Sequence, residues 1–223
     1  MADDQLSTSC SPESVIAPVA ALFVRRDSIY KTLPGVECYD IDRDALTFSG
    51  GMPVVAHPPC RAWGRLRRRA KPLPGETELA PWSVSIVRRE GGVLEHPAHS
   101  TLWQACQLPT PRAYERDDCG GWTLSVDQFW WGHRARKATW LYICGVEPVH
   151  IPPIPLKLGD APCVIDGNGT ARRRRRAHGE YVRPAVTRAE RERTPPEFAR
   201  WLVELARRCS TGNNLLAHDP LRL

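Results

Sequence analysis

The sequence predicts an α/β fold with a mostly parallel sheet and helices on both faces. An apolar run at 19–24, a short helical segment at 28–33 and an alternating strand at 36–42 with acidic residues at its end form the opening of a Rossmann-like unit. Two further short strands, at 54–56 and 93–97, are each closed by proline. These observations predict a sheet whose carboxyl ends carry the polar chemistry.

The remaining elements follow from spacing and end signals. Residues 76–90 have apolar positions at helical spacing, with Ser83 as the polar exception, and Gly91 ends the segment. A helical turn is expected at 100–107, and the apolar run at 138–144 predicts a strand. A terminal helix opens with a capping threonine and two prolines, and it carries one apolar stripe, formed by Phe198, Trp201, Leu202 and Leu205.

The length of 223 residues suits one domain with a proper core. We expect a disordered leader at 1–17, a single domain at 18–208 and a frayed tail at 209–223. Residues 146–185 are punctuated by proline and glycine and predict a small loop-rich insertion.

The composition is that of an ordinary soluble protein, with 42% hydrophobic and 25% charged residues. No apolar run is long enough to span a bilayer, and the polar, acidic start does not fit a signal peptide. The eight cysteines show no paired CxxC spacing, so we expect reduced thiols in a cytoplasm.

The net charge of +6 is concentrated in two arginine-rich segments, near residues 61–71 and 172–176. Arginine clusters beside tryptophans suit contact with phosphates and bases, which predicts nucleic-acid binding. The alternative is a composition that reflects a high-GC genome. The predicted DNA-binding residues are Arg61, Arg65, Arg67, Arg68, Arg69, Arg172, Arg173 and Arg174.

A stiff strand end presents Cys60. Residues 54–56 are interpreted as the end of a buried strand, and the two prolines that follow fix a non-helical backbone before the cysteine. Open α/β sheets bind ligands at such carboxyl ends. Because Arg61 and the basic residues after it favour thiolate over thiol, Cys60 is a candidate nucleophile. The alternative is a small buried hydrophobic residue.

Four separated stretches carry short motifs in a fixed order: 57–60 (His-Pro-Pro-Cys), 95–97 (Glu-His-Pro), 131–137 (Trp-Gly-His-Arg-Ala-Arg-Lys) and 193–196 (Arg-Thr-Pro-Pro). Together they resemble the DNA cytosine-5 methyltransferases, particularly the short single-domain forms of bacteriophages. The first three are similar to that family's Pro-Cys, Glu-Asn-Val or Glu-Asn-Pro, and Gln-x-Arg-x-Arg motifs, and the last to its closing segment. The resemblance covers most of the chain.

The resemblance implies a Rossmann-like methyltransferase fold and covalent catalysis on a cytosine flipped out of double-stranded DNA. By this resemblance, the Cys60 thiolate adds to carbon 6, Glu95 assists at ring nitrogen 3, and carbon 5 takes a methyl group from S-adenosylmethionine. The protein would then act in the host cytoplasm if it is phage-encoded. With no large target-recognition domain at 146–185, we expect short or no sequence specificity.

The resemblance also implies roles for other residues. Glu95 needs a raised pKa to hold a proton near neutrality, which partial burial could provide. Arg134 or Arg136 would hold the carbonyl oxygen of the base or a neighbouring phosphate. The implied cofactor-binding residues are Phe23, Asp40, Asp42 and Pro58.

Other interpretations stay open at this point. Residues 23–28 lack the glycine that the family's cofactor loop carries, so the same Cys60 and Glu95 could act on a pyrimidine base with a different donor. A catalytically inactive DNA-binding protein on the same fold is a second alternative. A zinc site is a third, since these residue types are zinc ligands. Its candidate ligands are His57, Cys60, His96, His99, Cys106, Cys119 and His133.

Overall fold

The computed structural model of the protein describes residues 16–112, 115–165, 175–179 and 181–209. The strands are β1 (Val19–Leu22), β2 (Val36–Tyr39), β3 (Val54–Ala56), β4 (Gly92–Pro97), β5 (Trp122–Asp127) and β6 (Ala138–Cys144). They form one sheet in the order β2-β1-β3-β4-β6-β5. The first four strands pair in parallel, whereas β6 is antiparallel to both of its neighbours. The predicted α/β class with a mostly parallel sheet is confirmed.

Helices cover both faces of this sheet. The α-helices are α1 (Leu79–Glu90), α2 (Leu102–Ala105), α3 (Arg188–Glu192) and α4 (Pro196–Arg207). The stripe of α4 packs with Val55 and Val93 in one apolar cluster, while α1 packs with Leu94 in a second cluster. Because the helices occupy opposite faces, the predicted layering is also confirmed, and it is compatible with a Rossmann-like arrangement.

Successive residues of β4 point to opposite faces, as the pleat requires. Val93 belongs to the cluster under α4 and Leu94 to the cluster under α1. The alternation therefore sends Glu95 to the α4 face and His96 to the α1 face. His96 is 0% exposed and packs edge-on against Trp103, with ring centroids 6.4 Å apart.

Gly92 sets the register between the two central strands. Its φ of +122° lies in the region that favours glycine, and a Cβ atom there would collide with the backbone of Val54. The close approach lets Val54 pair with Gly92 and Ala56 with Leu94. The carboxyl ends of β3 and β4 consequently lie side by side.

The structure also departs from the sequence expectations. Strand β5 was not expected as a strand, and α1 begins at Leu79 rather than near Glu76. The Glu76 carboxylate instead accepts a hydrogen bond from the backbone N–H of Leu73. The expected leader and tail lie largely in residues 1–15 and 210–223, outside the described residues. No helix in the described ranges is long and apolar enough to cross a bilayer.

Candidate active site

The thiol and the carboxylate singled out above lie near the carboxyl ends of neighbouring strands. Cys60 lies four residues beyond the last residue of β3, and Glu95 lies within β4 opposite Leu141 of β6. Cys60 is exposed, whereas the Glu95 side chain is only 13% exposed. Because β3 and β4 are parallel and adjacent, both groups lie at the same edge of the sheet.

His57 links β3 to Glu95. Its Nδ1 lies 3.1 Å from Glu95 Oε2, and its Nε2 lies 2.9 Å from the Tyr30 hydroxyl. Since a carboxylate only accepts hydrogen bonds, the His57 Nδ1–H donates to Glu95. Tyr30 is 1% exposed and lies in the short helix before β2. Three elements therefore meet at one imidazole.

Gln128 holds the other carboxylate oxygen. Its Nε2 donates to Glu95 Oε1 at 2.9 Å and to Thr139 Oγ1 at 3.0 Å. The residue is 1% exposed and follows directly after β5. Its Oε1 is buried without a partner among the described residues. Both oxygens of Glu95 thus accept hydrogen bonds from buried side chains, which fixes the carboxylate in place.

Glu95 is held in its ionised form. Burial alone would raise its pKa, but the positive charge of Lys137 and the hydrogen bond from His57 outweigh burial and lower the pKa to about 2. This is the reverse of the raised pKa expected from sequence. The reason is that partners on three other segments surround the carboxylate, and none of them is next to it in sequence.

The Cys60 thiol also differs from expectation. Although Cys60 is exposed as a residue, neighbouring atoms partly desolvate its sulfur. This desolvation and the nearby charge of Glu95 raise the pKa of Cys60, while Lys137 opposes them. The arginine that follows it, Arg61, does not act on the sulfur as expected, because its guanidinium pairs with the buried Glu76 at 2.6 Å. Cys60 is therefore a protonated thiol in the free protein at neutral pH.

Lys137 supplies the positive charge of this edge. It immediately precedes β6, where its backbone carbonyl accepts from the Gln128 N–H at 3.2 Å. The pleat places its side chain on the same face as Thr139, two residues further along. It forms no ion pair with any described residue, and its charge acts on both Cys60 and Glu95.

The two arginines predicted to act with Cys60 and Glu95 lie elsewhere. Arg134 forms a bidentate pair with Glu190 of α3, with its Nε 2.8 Å from Oε1. Arg136 pairs with Asp127 at 3.2 Å and donates to a backbone carbonyl. Neither contacts Glu95 in the structure, and Lys137 from the same motif takes the position near it.

Three of the four predicted cofactor-binding residues lie at the carboxyl ends of β1 and β2. Asp40 is nearly buried, pairs with Lys31 at 2.5 Å and accepts two backbone N–H groups. These contacts, led by the Lys31 hydrogen bond, lower the pKa of Asp40 to about 2. Asp42 is exposed and pairs with Arg26. Phe23, directly after β1, has a left-handed φ of +59°.

Pro58 is buried just after β3, beside Cys60 and Glu95, and its side chain has no polar group that could bind a cofactor. The predicted DNA-binding Arg65, Arg67, Arg68 and Arg69 are all exposed. Arg172, Arg173 and Arg174 lie outside the described residues.

Sequence reasoning assigned no role beside Glu95 to His57, Gln128 or Lys137, nor to Tyr30, which contacts His57. A signal existed for two of them. His57 and Lys137 stand inside the quoted motifs, and their polar side chains flank strand ends. Tyr30 and Gln128 carry no local signal, because only the sheet order brings their segments to Glu95.

A groove of about 620 Å³ runs beside Trp130, Trp131 and Trp201, away from Cys60. Among the described residues, no group of three or more His, Cys, Asp or Glu side chains could hold a metal ion.

Known proteins offer no further guidance. Comparisons with protein-family models, curated proteins and solved structures found no match to this chain.

Proposed function

We propose that the protein methylates carbon 5 of cytosine in double-stranded DNA, with S-adenosylmethionine as the donor. The observation that supports this is the placement of the Cys60 thiol and the Glu95 carboxylate at the ends of adjacent parallel strands. Carbon 5 of cytosine becomes nucleophilic only after addition at carbon 6. That chemistry needs one nucleophile and one proton-handling group on the same ring.

The reaction begins with addition of Cys60 to the ring. The sulfur bonds to carbon 6, and the thiol proton passes through the Glu95 carboxylate to ring nitrogen 3. Because Glu95 is ionised in the free protein, it can accept the proton from the Cys60 thiol. When bound, S-adenosylmethionine would supply carbon 5 with a methyl group from its positively charged sulfur and would leave as S-adenosylhomocysteine. A base then removes the carbon-5 proton, the double bond between carbons 5 and 6 re-forms as the Cys60 sulfur leaves, and nitrogen 3 returns its proton through Glu95 to that sulfur.

Substrate binding adjusts the site through Lys137. In the free protein Lys137 lowers the pKa of Glu95 and opposes the rise at Cys60. A phosphate that engages Lys137 offsets its charge, so the pKa of Glu95 rises toward the range of a proton donor. His57 and Gln128 keep the carboxylate oriented while this happens.

The residues at the ends of β1 and β2 fit a nucleoside-containing cofactor in two respects. Phe23 adopts the left-handed backbone conformation that glycine adopts most easily, so the turn after β1 forms without a glycine. The exposed Asp42 is held by a surface ion pair of little net strength, which ribose hydroxyls can replace.

A second candidate is modification of a pyrimidine base with a different donor. Asp40 favours it, because one of its oxygens pairs with Lys31 and the other accepts two backbone N–H groups. An acid so engaged is less available to ribose hydroxyls. The Cys60 and Glu95 chemistry would be retained with another electrophile.

Two measurements separate these candidates. Calorimetric titration with S-adenosylmethionine should give micromolar binding, and labelled methyl groups should appear as 5-methylcytosine in plasmid DNA. Plasmid DNA contains many short sequences, so no target needs to be assumed, and Cys60→Ala is the control. Absence of cofactor binding, with and without DNA, excludes the methyl-transfer proposal and favours a different donor.

A further inference from the structure

Two cysteines meet at the end of the sheet opposite to Cys60. Cys144 is the last residue of β6, and it pairs with Gly92, the first residue of β4. Cys144 is 2% exposed, and its thiol donates a hydrogen bond to the carbonyl oxygen of Cys119 at 3.3 Å. Cys119 itself is exposed. In the part of the chain that the structure describes, this is the one hydrogen bond that joins two cysteine residues.

The turn that carries Cys119 is fixed against β6. Asp117 Oδ1 accepts the N–H groups of Cys119 at 3.0 Å and of Gly121 at 2.9 Å. Asp117 Oδ2 accepts the Tyr142 hydroxyl at 2.6 Å and the Arg88 guanidinium at 2.8 Å. A Cβ atom on Gly121 would overlap the Tyr142 ring, so glycine is needed for this close approach. These contacts hold the Cys119 backbone against the end of β6.

Only a short distance separates the two side chains. Because the Cys144 sulfur lies 3.3 Å from the Cys119 carbonyl oxygen, standard backbone dimensions put it within about 6 Å of the Cys119 Cα. The exposed Cys119 side chain rotates about one χ1 bond. A Cβ atom on the adjacent Gly120 would meet nothing within 4 Å, which leaves room for the turn to close. A bond between the sulfurs therefore needs a local adjustment and no change in the sheet.

The two thiols differ in how an oxidant reaches them. Cys119 is open to solvent, where a peroxide can contact it. Burial and the negative charge of Asp117 raise the pKa of Cys144 to about 11, so this thiol stays protonated and reacts slowly by itself. An exposed thiol with a second thiol beside it can convert a sulfenic acid into a disulfide before further oxidation.

We propose that Cys119 and Cys144 form a reversible disulfide when the protein meets hydrogen peroxide. The Cys119 sulfur attacks the peroxide, the O–O bond breaks, and the thiol proton leaves in water, which gives a sulfenic acid. The Cys144 sulfur then bonds to the Cys119 sulfur, the S–O bond breaks, and the hydroxide takes the Cys144 proton as water. Two electrons pass from the thiols to the peroxide. Neither step involves Cys60 or DNA, so the site is independent of the proposed methyl transfer.

The consequence is a covalent tie at the edge of the sheet. β5 is the edge strand and pairs with β6 alone. Cys119 lies three residues before β5, and Cys144 ends β6. The disulfide fastens the beginning of the edge strand to its neighbour.

The experiment is peroxide treatment of the full chain, followed by alkylation in urea and tryptic digestion without reductant. Trypsin separates the two cysteines, since it cuts after Arg116, Arg134, Lys137 and Lys157. We expect peptides 117–134 and 138–157 to appear as one disulfide-linked species, at roughly tenfold or more the level of any other cysteine pair. Dithiothreitol should restore both free peptides.

Cys106→Ser is the matched control, since Cys106 is a partly buried cysteine on another segment, and the linked species should persist in it. In Cys144→Ala, dimedone should label Cys119, because the sulfenic acid there has no thiol to react with. Linkage of Cys119 to any other cysteine, including Cys119 of a second molecule, overturns the proposal. So does full alkylation of both cysteines after peroxide, or a Cys119 sulfinic acid while Cys144 is still alkylated.

Discussion

His57 Nδ1 lies 3.1 Å from Glu95 Oε2, so an imidazole at the end of β3 donates to a carboxylate on β4. On its other side, the same imidazole meets the buried Tyr30 hydroxyl at 2.9 Å. The carboxylate is therefore oriented by residues that the sheet brings together. This arrangement makes His57 a positioning residue for Glu95.

Replacing His57 by phenylalanine should raise the pKa of Glu95, because the variant loses a hydrogen bond to the charged form. In an assay of methyl transfer, the acid limb of the pH–rate profile should move to higher pH. Tyr30→Phe should shift it less and should destabilise the fold by about 1–3 kcal/mol, since it leaves a buried ring nitrogen unpaired.

The control for this pair is His99→Phe, which changes an exposed imidazole on the segment after β4. It should leave the profile unchanged. An unshifted acid limb in His57→Phe, with activity retained, would show that His57 does not tune Glu95.

Lys137→Met should make the Cys60 thiol harder to ionise, because Lys137 lowers the pKa of both Cys60 and Glu95. The rate of alkylation by iodoacetamide, followed against pH, reports this thiol pKa without turnover. A background of Cys10→Ser and Cys119→Ser removes the other exposed cysteine of the described residues together with Cys10, which lies outside them. The alkylation curve should shift to higher pH, and Lys137→Arg should restore it.

Arg136→Met serves as the matched control, since Arg136 belongs to the same motif but pairs with Asp127. It should leave the alkylation curve in place. Equal shifts in the Arg136 and Lys137 variants would contradict the assignment of the charge to Lys137.

Cys60→Ala should abolish turnover and leave DNA affinity within about threefold, because phosphate contacts dominate affinity. DNA synthesised with 5-fluorocytosine in place of cytosine should trap wild-type protein covalently in the presence of S-adenosylmethionine. The fluorine at carbon 5 cannot be removed as a proton, so the sulfur stays bound. Cys119→Ala, at another exposed cysteine, should still be trapped. Continued methylation by Cys60→Ala would make Cys60 structural.

The sequence predicted the elements better than their partners. The run at 138–144 predicts β6 with both of its ends, because it is apolar apart from Thr139 and is bounded by charge and glycine. Residues 122–127 alternate strictly between apolar and polar side chains, which is a strand signal, but they were interpreted only as the start of an aromatic-rich stretch. Strand β5 was therefore missed although its signal is local.

The candidate site divides in the same way. Cys60 and Glu95 could be found because Cys60 follows β3 and Glu95 lies within β4, and proline stands at the carboxyl end of both strands. The pKa shifts of these two groups could not be predicted from sequence, because they depend on residues that are distant along the chain. Gln128 is more than thirty residues from Glu95 in sequence. It reaches Glu95 because β6 pairs with both β4 and β5 and so brings the end of β5 close to β4. The arginines after Cys60 led to the prediction of a lowered thiol pKa, which is wrong because Arg61 pairs with Glu76.

His96 predicts how the fold responds to acid. Burial lowers its pKa to about 4 from an ordinary 6.5, and both ring nitrogens lack partners among the described residues. Below pH 6.5 the unfolded chain takes up a proton that the folded protein refuses, so stability falls until about pH 4, by on the order of 3 kcal/mol. Glu95, with its pKa lowered to about 2, loses its contribution only below about pH 4.5. Burial also lowers the pKa of His133, so urea unfolding between pH 7 and 5 reports both histidines. His96→Phe should make that pH dependence shallower, whereas His99→Asn, at an exposed site, should leave it unchanged. An equally steep decline in His96→Phe would place the acid sensitivity elsewhere.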